Sequence, residues 1–170
     1  MTCRRIHIVG RKNSGKTTLV CELVTEFTRR GLSVATIKHT HHKHELDTPG
    51  KDSWKHRNAG AAAVGVLSAG LTAVYFPNEA PAGDKYSRLD ATMGQFDVVL
   101  VEGDLHATAP RLEVWRASTG HPAYASSEKG IRYVITDDEL PDSPCDLLPR
   151  ASVEQIADAI SELLRPASDH

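Results

Sequence analysis

The chain has 170 residues, 40% apolar and 25% charged, enough for one domain with a hydrophobic core and too apolar for wholesale disorder. Lys and Arg number 20 against 22 Asp and Glu, a net charge of −2, so no basic excess exists to neutralise a nucleic-acid backbone. Cys3, Cys21 and Cys145 are scattered without metal spacing and fit a reduced, cytoplasmic protein better than a disulfide framework.

In chain order, Arg4 to Val9 reads as a strand and Gly10 to Gly15 as a loop. From Lys16 the pattern is helical. Leu19, Val20, Leu23, Val24 and Phe27 share one face, Glu22, Glu26, Arg29 and Arg30 the other, and Gly31 is the stop. Ser33 to Lys38 is a second strand. His39 to Gly50 is a polar, histidine-rich loop, after which Asp52 or Ser53 caps a short helix through Ala59. The longest uncharged run, Ala59 to Asn78, is broken by glycines and Pro77. It predicts two short buried strands, Ala63 to Leu67 and Leu71 to Phe76, meeting at Gly70, and not a membrane span.

Pro77 to Gly83 is loop, Tyr86 to Met93 a short helix, and Phe96 to Val101 the most strand-like segment of the chain. Arg111 to Arg116 alternates and reads as an edge strand. Its Trp115, on the face opposite Leu112 and Val114, is either a subunit contact or a tucked core ring. Ile131 to Thr136 is the last strand, and Ser152 with Gln155 forms the capping box of a final helix whose stripe runs from Val153 to Leu164. The N-terminal segment reaches Arg11-Lys12 too soon for a signal peptide. Strands alternating with helices imply one layered α/β domain over residues 1–170, with a mainly parallel sheet and an antiparallel edge.

The loop carries the chemistry. Gly10-Arg11-Lys12-Asn13-Ser14-Gly15-Lys16-Thr17 matches G-x-x-x-x-G-K-[ST] in full, between a strand and an amphipathic helix. The glycines let successive N–H groups approach phosphate oxygens, the helix N-terminus adds partial positive charge, and Lys16 supplies an ammonium to the outer phosphates. Thr17 is a candidate Mg²⁺ ligand. The candidate nucleotide set is Gly10, Lys12, Asn13, Ser14, Gly15, Lys16, Thr17 and Thr18. FDVVLVEG places Glu102 at the end of an apolar strand, where it can hold Mg²⁺ or orient the attacking water.

Three segments together, GRKNSGKTTL, TIKHTHHKHELDTPGKDSWKHRNAGA and VLVEGDLHATAPRLEVWR, resemble the MobB family of molybdenum cofactor biosynthesis, from about Ile6 to Arg116. The resemblance implies a P-loop NTPase-type three-layer domain that binds GTP with Mg²⁺, hydrolyses it weakly, and is usually a homodimer. It implies an adapter for the guanylyltransferase that makes molybdopterin guanine dinucleotide, with molybdopterin or that dinucleotide as a further ligand. Carried over by position, Gly15, Lys16 and Thr17 are the phosphate and Mg²⁺ residues, and Glu102 is the acidic strand end. The chain departs from the family after Val101-Glu102-Gly103. An aromatic residue and a lysine are common there, and Asp104, Leu105 and His106 stand instead.

His39, His41, His42 and His44 crowd the loop after the second strand, with His56 beyond. They form no recognisable closed metal site. The loop reads as a switch bringing Lys38 and His39 to phosphate or pterin, as a transient metal site, or as solvated chain. Asp52 is a candidate to orient water, or equally a helix cap. Asp137 or Asp138, after the last strand, can accept guanine's two edge donors, or serve a turn. Two other readings compete: a small-metabolite kinase, which would want several lid arginines and after Glu102 finds only Arg111 and Arg116 before a long gap, and a nickel- or cobalt-delivery GTPase using the histidine loop.

Overall fold

A computed structural model of the chain describes residues 5–40, 45–76 and 85–165. It divides into two compact units, residues 1–40 with 88–170, and residues 41–87. In chain order the elements are β1 (Arg5–Val9), α1 (Lys16–Arg29), β2 (Val34–Lys38), α2 (Asp52–Asn58), β3 (Val64–Leu67), β4 (Thr72–Tyr75), α3 (Ser87–Met93), β5 (Val98–Glu102), β6 (Arg111–Val114), β7 (Ile131–Ile135), β8 (Asp146–Leu148) and α4 (Val153–Leu163).

The first unit is built on a six-stranded sheet in the order β2-β5-β1-β6-β7-β8, and every pairing in it is parallel. The antiparallel pair, β3 with β4, is a separate sheet in the second unit. β6 lies inside the main sheet between β1 and β7, not at an edge, and all four of its residues are buried. The edge on that side is β8, three residues set among prolines, too short and interrupted to carry a strand pattern in the sequence, and β2 is the other edge.

The sheet has two unlike faces. Ile6, Ile8, Leu100, Leu112 and Val114 pack under Leu19, Leu23 and Phe27 of α1 and Ile156 and Ile160 of α4, all close to fully buried. The opposite face carries Val9, Trp115 and Val134, but also Arg5, His7, Arg111 and Glu113, buried polar groups that need partners. Arg5 bonds Asp90 at 2.5 Å, and His7 Nδ1 lies 3.2 Å from the Gly103 carbonyl. The Arg111 guanidinium donates to the carbonyls of Leu105 and Lys129. Each Glu113 oxygen accepts a backbone N–H, from Tyr124 at 2.7 Å and Ala125 at 2.9 Å.

α1 closes with two paired main-chain bonds, Gly31 N–H to Thr28 O at 2.9 Å and Leu32 N–H to Phe27 O at 3.0 Å. Glu26, expected on the solvent face, is 7% exposed because Arg29 and Arg30 fold over it. Their hydrogen bonds hold its carboxyl down at about 2, and Arg30 reaches on to Asp158 of α4 at 2.6 Å. The capping box of α4 is not formed: Ser152 is the N-cap but makes no side-chain cap bond.

In the second unit Asp52 opens α2 as its first helical residue; Lys51 stands at the cap, so neither Asp52 nor Ser53 caps it. Ser53 instead donates to Asp47 at 2.8 Å. The hairpin strands are mostly exposed rather than buried. Leu67 is 82% and Leu71 72% exposed, with Val74 and Phe76 also open. Among the described residues no helix is long and apolar enough to cross a membrane.

Candidate functional site

β1 runs straight into the glycine loop. Gly10 has φ 146°, and a Cβ there would lie 2.3 Å from the Val114 carbonyl oxygen, so only glycine lets the loop leave the sheet beside β6. Asn13 and Gly15 are left-handed, at φ 65° and 97°, and bend the chain into α1. The first helical bond runs from Leu19 N–H to Gly15 O at 3.0 Å. The N–H groups of Lys16, Thr17 and Thr18 therefore have no acceptor within the helix. Neither a capping side chain nor an acidic residue occupies that first turn. It is an uncompensated positive helix end, suited to an anion. Lys12, Asn13 and Thr18 are exposed and Ser14 is buried.

Register brings the other groups. β5 lies between β1 and β2, and the parallel pairing sets Glu102 level with Ile8 on one side and Lys38 on the other. The Thr17 hydroxyl donates to Glu102 Oε1 at 2.8 Å, and Lys38 Nζ is 3.4 Å from the same oxygen. The His39 N–H donates to the Glu102 carbonyl at 2.9 Å. Lys16 Nζ donates to the Arg11 carbonyl at 2.6 Å. Burial lowers the pKa of this ammonium; Glu102 opposes the shift and Lys38 adds to it. The result is a half-buried cation with a carbonyl for company, ready to exchange that carbonyl for a stronger acceptor. The adjoining Thr17 hydroxyl and Glu102 carboxylate are hard oxygen donors. They suit Mg²⁺, which takes few protein ligands and keeps its waters.

On the β6 side of the loop an open cleft of about 310 Å³ is lined by Trp115, Arg116, Ser118, Asp137, Asp138 and Arg150. Asp137 Oδ1 accepts the Ala151 N–H at 3.0 Å, and Asp138 Oδ2 accepts the Ala117 N–H at 2.8 Å. Each aspartate thus ties down a turn with one oxygen while its residue lines the cleft. Trp115 is tucked, its indole N–H donating to the His121 carbonyl at 2.9 Å. Arg150 is engaged by Glu22 at 2.6 Å.

The structure brings Lys16, Thr17, Lys38, the His39 backbone and Glu102 together, and sets Asp137 in the cleft. Asp52 lies in the second unit, exposed and paired with Lys55 at 3.2 Å. His41, His42 and His44 lie outside the described residues, among which no group of three metal-binding side chains occurs. Two placements go beyond the sequence reading, which has Arg116 only as a candidate lid arginine and Arg11 only as a loop cation. Arg116 borders both loop and cleft, and the Arg11 guanidinium stacks on Tyr124, 4.2 Å from the ring centre. For Arg116 the available signal was its position directly after a parallel strand, where ligand loops gather. Arg111, weighed as a lid arginine, is spent inside on backbone carbonyls.

Residues 5–137 match the family model of MobB, described as molybdopterin guanine dinucleotide synthesis protein B. The chain is 34% identical over 157 residues to the molybdopterin-guanine dinucleotide biosynthesis adapter protein of Escherichia coli, covering 89% of this chain and 88% of that one. The adapter protein of the same description from Haemophilus influenzae is 34% identical over 117 residues, 68% of this chain and 65% of its own. The fold is shared with the crystal structure of a MobB homolog from Bacillus stearothermophilus, TM-score 0.67 at 24% identity, covering 95% of this chain and 97% of that chain.

Proposed function

The chain belongs to the MobB family, and on that premise we propose that it is a GTP-binding adapter in molybdopterin guanine dinucleotide biosynthesis, a slow Mg²⁺-dependent GTPase at most. The observation that carries the reading is the convergence of Lys16, Thr17 and Glu102 on an uncapped helix end. The loop N–H groups and Lys16 grip the phosphate chain. Thr17 and Glu102 would hold Mg²⁺, which when bound neutralises charge on the outer phosphates. Lys38 balances the Glu102 carboxylate. Arg111, buried on carbonyls, cannot reach a transferring phosphoryl group, which supports slow hydrolysis over a kinase-like role.

The nucleoside half fits the cleft. The Asp137 carboxylate, on a residue lining the cleft, can accept guanine N1–H and N2–H, donors adenine does not present as a pair. The adapter role named for the relatives supports the guanylyltransferase as partner and a pterin-bearing ligand nearby. The exposed apolar hairpin β3–β4, too small to be stable without further cover, supports a second copy of the chain as partner.

Calorimetric titration tests the base reading. In Mg²⁺, GTP binds at least about tenfold more tightly than ATP, and Asp137→Asn removes most of the difference, since two hydrogen bonds to a charged acceptor are at stake. Equal affinities for GTP and ATP in the unaltered protein would exclude it.

A further inference from the structure

Arg116 is the one cleft-lining cation that no described side chain or carbonyl engages. Arg150 is held by Glu22, whereas Arg116 forms neither an ion pair nor a side-chain hydrogen bond among the described residues. Its guanidinium is nonetheless placed. Nη2, Cζ and Nε lie 3.2, 3.6 and 3.7 Å from the point a Cβ on Gly15 would occupy. Three atoms at nearly equal range mean that the flat of the group covers Gly15, so close that a Cβ there would press on it. We propose that Arg116 binds the phosphate nearest the sugar, clamping the nucleotide between the phosphate loop and the cleft. This rests on the GTP-binding reading above.

Sheet order decides which phosphate it meets. The loop springs from β1, with β5 on one side and β6 on the other. Lys16, Thr17 and Glu102 gather on the β5 side, where the outer phosphates and metal belong. Arg116 follows β6, on the side that opens into the cleft with Asp137 and Asp138. A chain running from that cluster to the cleft passes Arg116 at its inner end. An arginine acting on the terminal phosphate would have to stand on the Glu102 side. The planar fork of the guanidinium can give two parallel N–H bonds to one phosphate, as an ammonium cannot.

The test compares GTP, GDP and GMP, measured directly or by competition with a fluorescent guanine nucleotide. Arg116→Ala weakens all three by a similar factor, about 10- to 100-fold, and Arg116→Lys recovers only part. Thermal melting identical to that of the unaltered protein shows that the exposed substitution leaves the fold intact. Loss confined to GTP would move Arg116 to the terminal phosphate and overturn the proposal, as would unchanged affinity for all three. Lys16→Ala, measured alongside, separates the two levels. If it abolishes GTP binding while Arg116→Ala does nothing, only the clamp fails; if neither matters, the nucleotide reading falls with it.

Discussion

Lys16→Ala lowers GTP affinity by at least about 100-fold while leaving the melting temperature within a degree or two of the parent. The size follows from what is lost, a charge-assisted contact to the outer phosphates in a partly desolvated loop, where such bonds are about twice as strong as neutral ones. The fold is spared because in the free protein Lys16 makes one hydrogen bond, to the Arg11 carbonyl, at the loop surface. A pH dependence accompanies it. Burial lowers the ammonium pKa below 10.5 in the free protein, and a bound phosphate raises it again. Affinity therefore declines as pH rises toward the range of an ordinary lysine, with proton uptake on binding, and the alanine variant lacks that component. Unchanged affinity in Lys16→Ala would reject the assignment of the loop.

Glu113→Ala has the largest expected effect on stability. The side chain is fully buried, and its two oxygens accept the N–H groups that open the turn at Tyr124–Ser126. Deleting it orphans both donors at about 1–3 kcal/mol each, so the denaturation midpoint falls by the equivalent of about 2–6 kcal/mol with little change in slope. Burial raises the carboxyl's pKa, and the two amide donors and Arg11 only partly offset this. The damage reaches the site, since Tyr124 supports the Arg11 guanidinium and the Arg11 carbonyl holds Lys16. GTP affinity falls with stability, by a smaller factor than for Lys16→Ala. A variant as stable as the parent would mean that the loop over this face is held by something other than the carboxylate.

The legibility of this protein follows the range of its interactions. The strand, glycine loop and α1 are local, and a contiguous pattern carries them. Glu102 is legible because an acid ending an apolar run is costly without a partner. Arg116 was visible as a strand end, but that it covers Gly15 depends on β6 inserting beside β1, a pairing between residues a hundred positions apart that no local pattern encodes. The same non-locality made β6 read as an edge. Apolar composition suggested a buried hairpin, yet composition reports affinity for cover and not its presence. Glu26 shows the reverse: a charged residue in a charged face, buried because its two arginine neighbours enclose it. β8 is too short to announce itself, and Ser152 has the right sequence for a cap without the side-chain bond.

Amide hydrogen exchange across residues 11–18, with and without saturating Mg·GTP, tests the central claim most directly. Strong slowing is expected in the N–H groups of Gly15 through Thr18, which have the first helical turn's open donors. Saturable GTP binding with exchange in this segment unchanged would place the nucleotide elsewhere and contradict it.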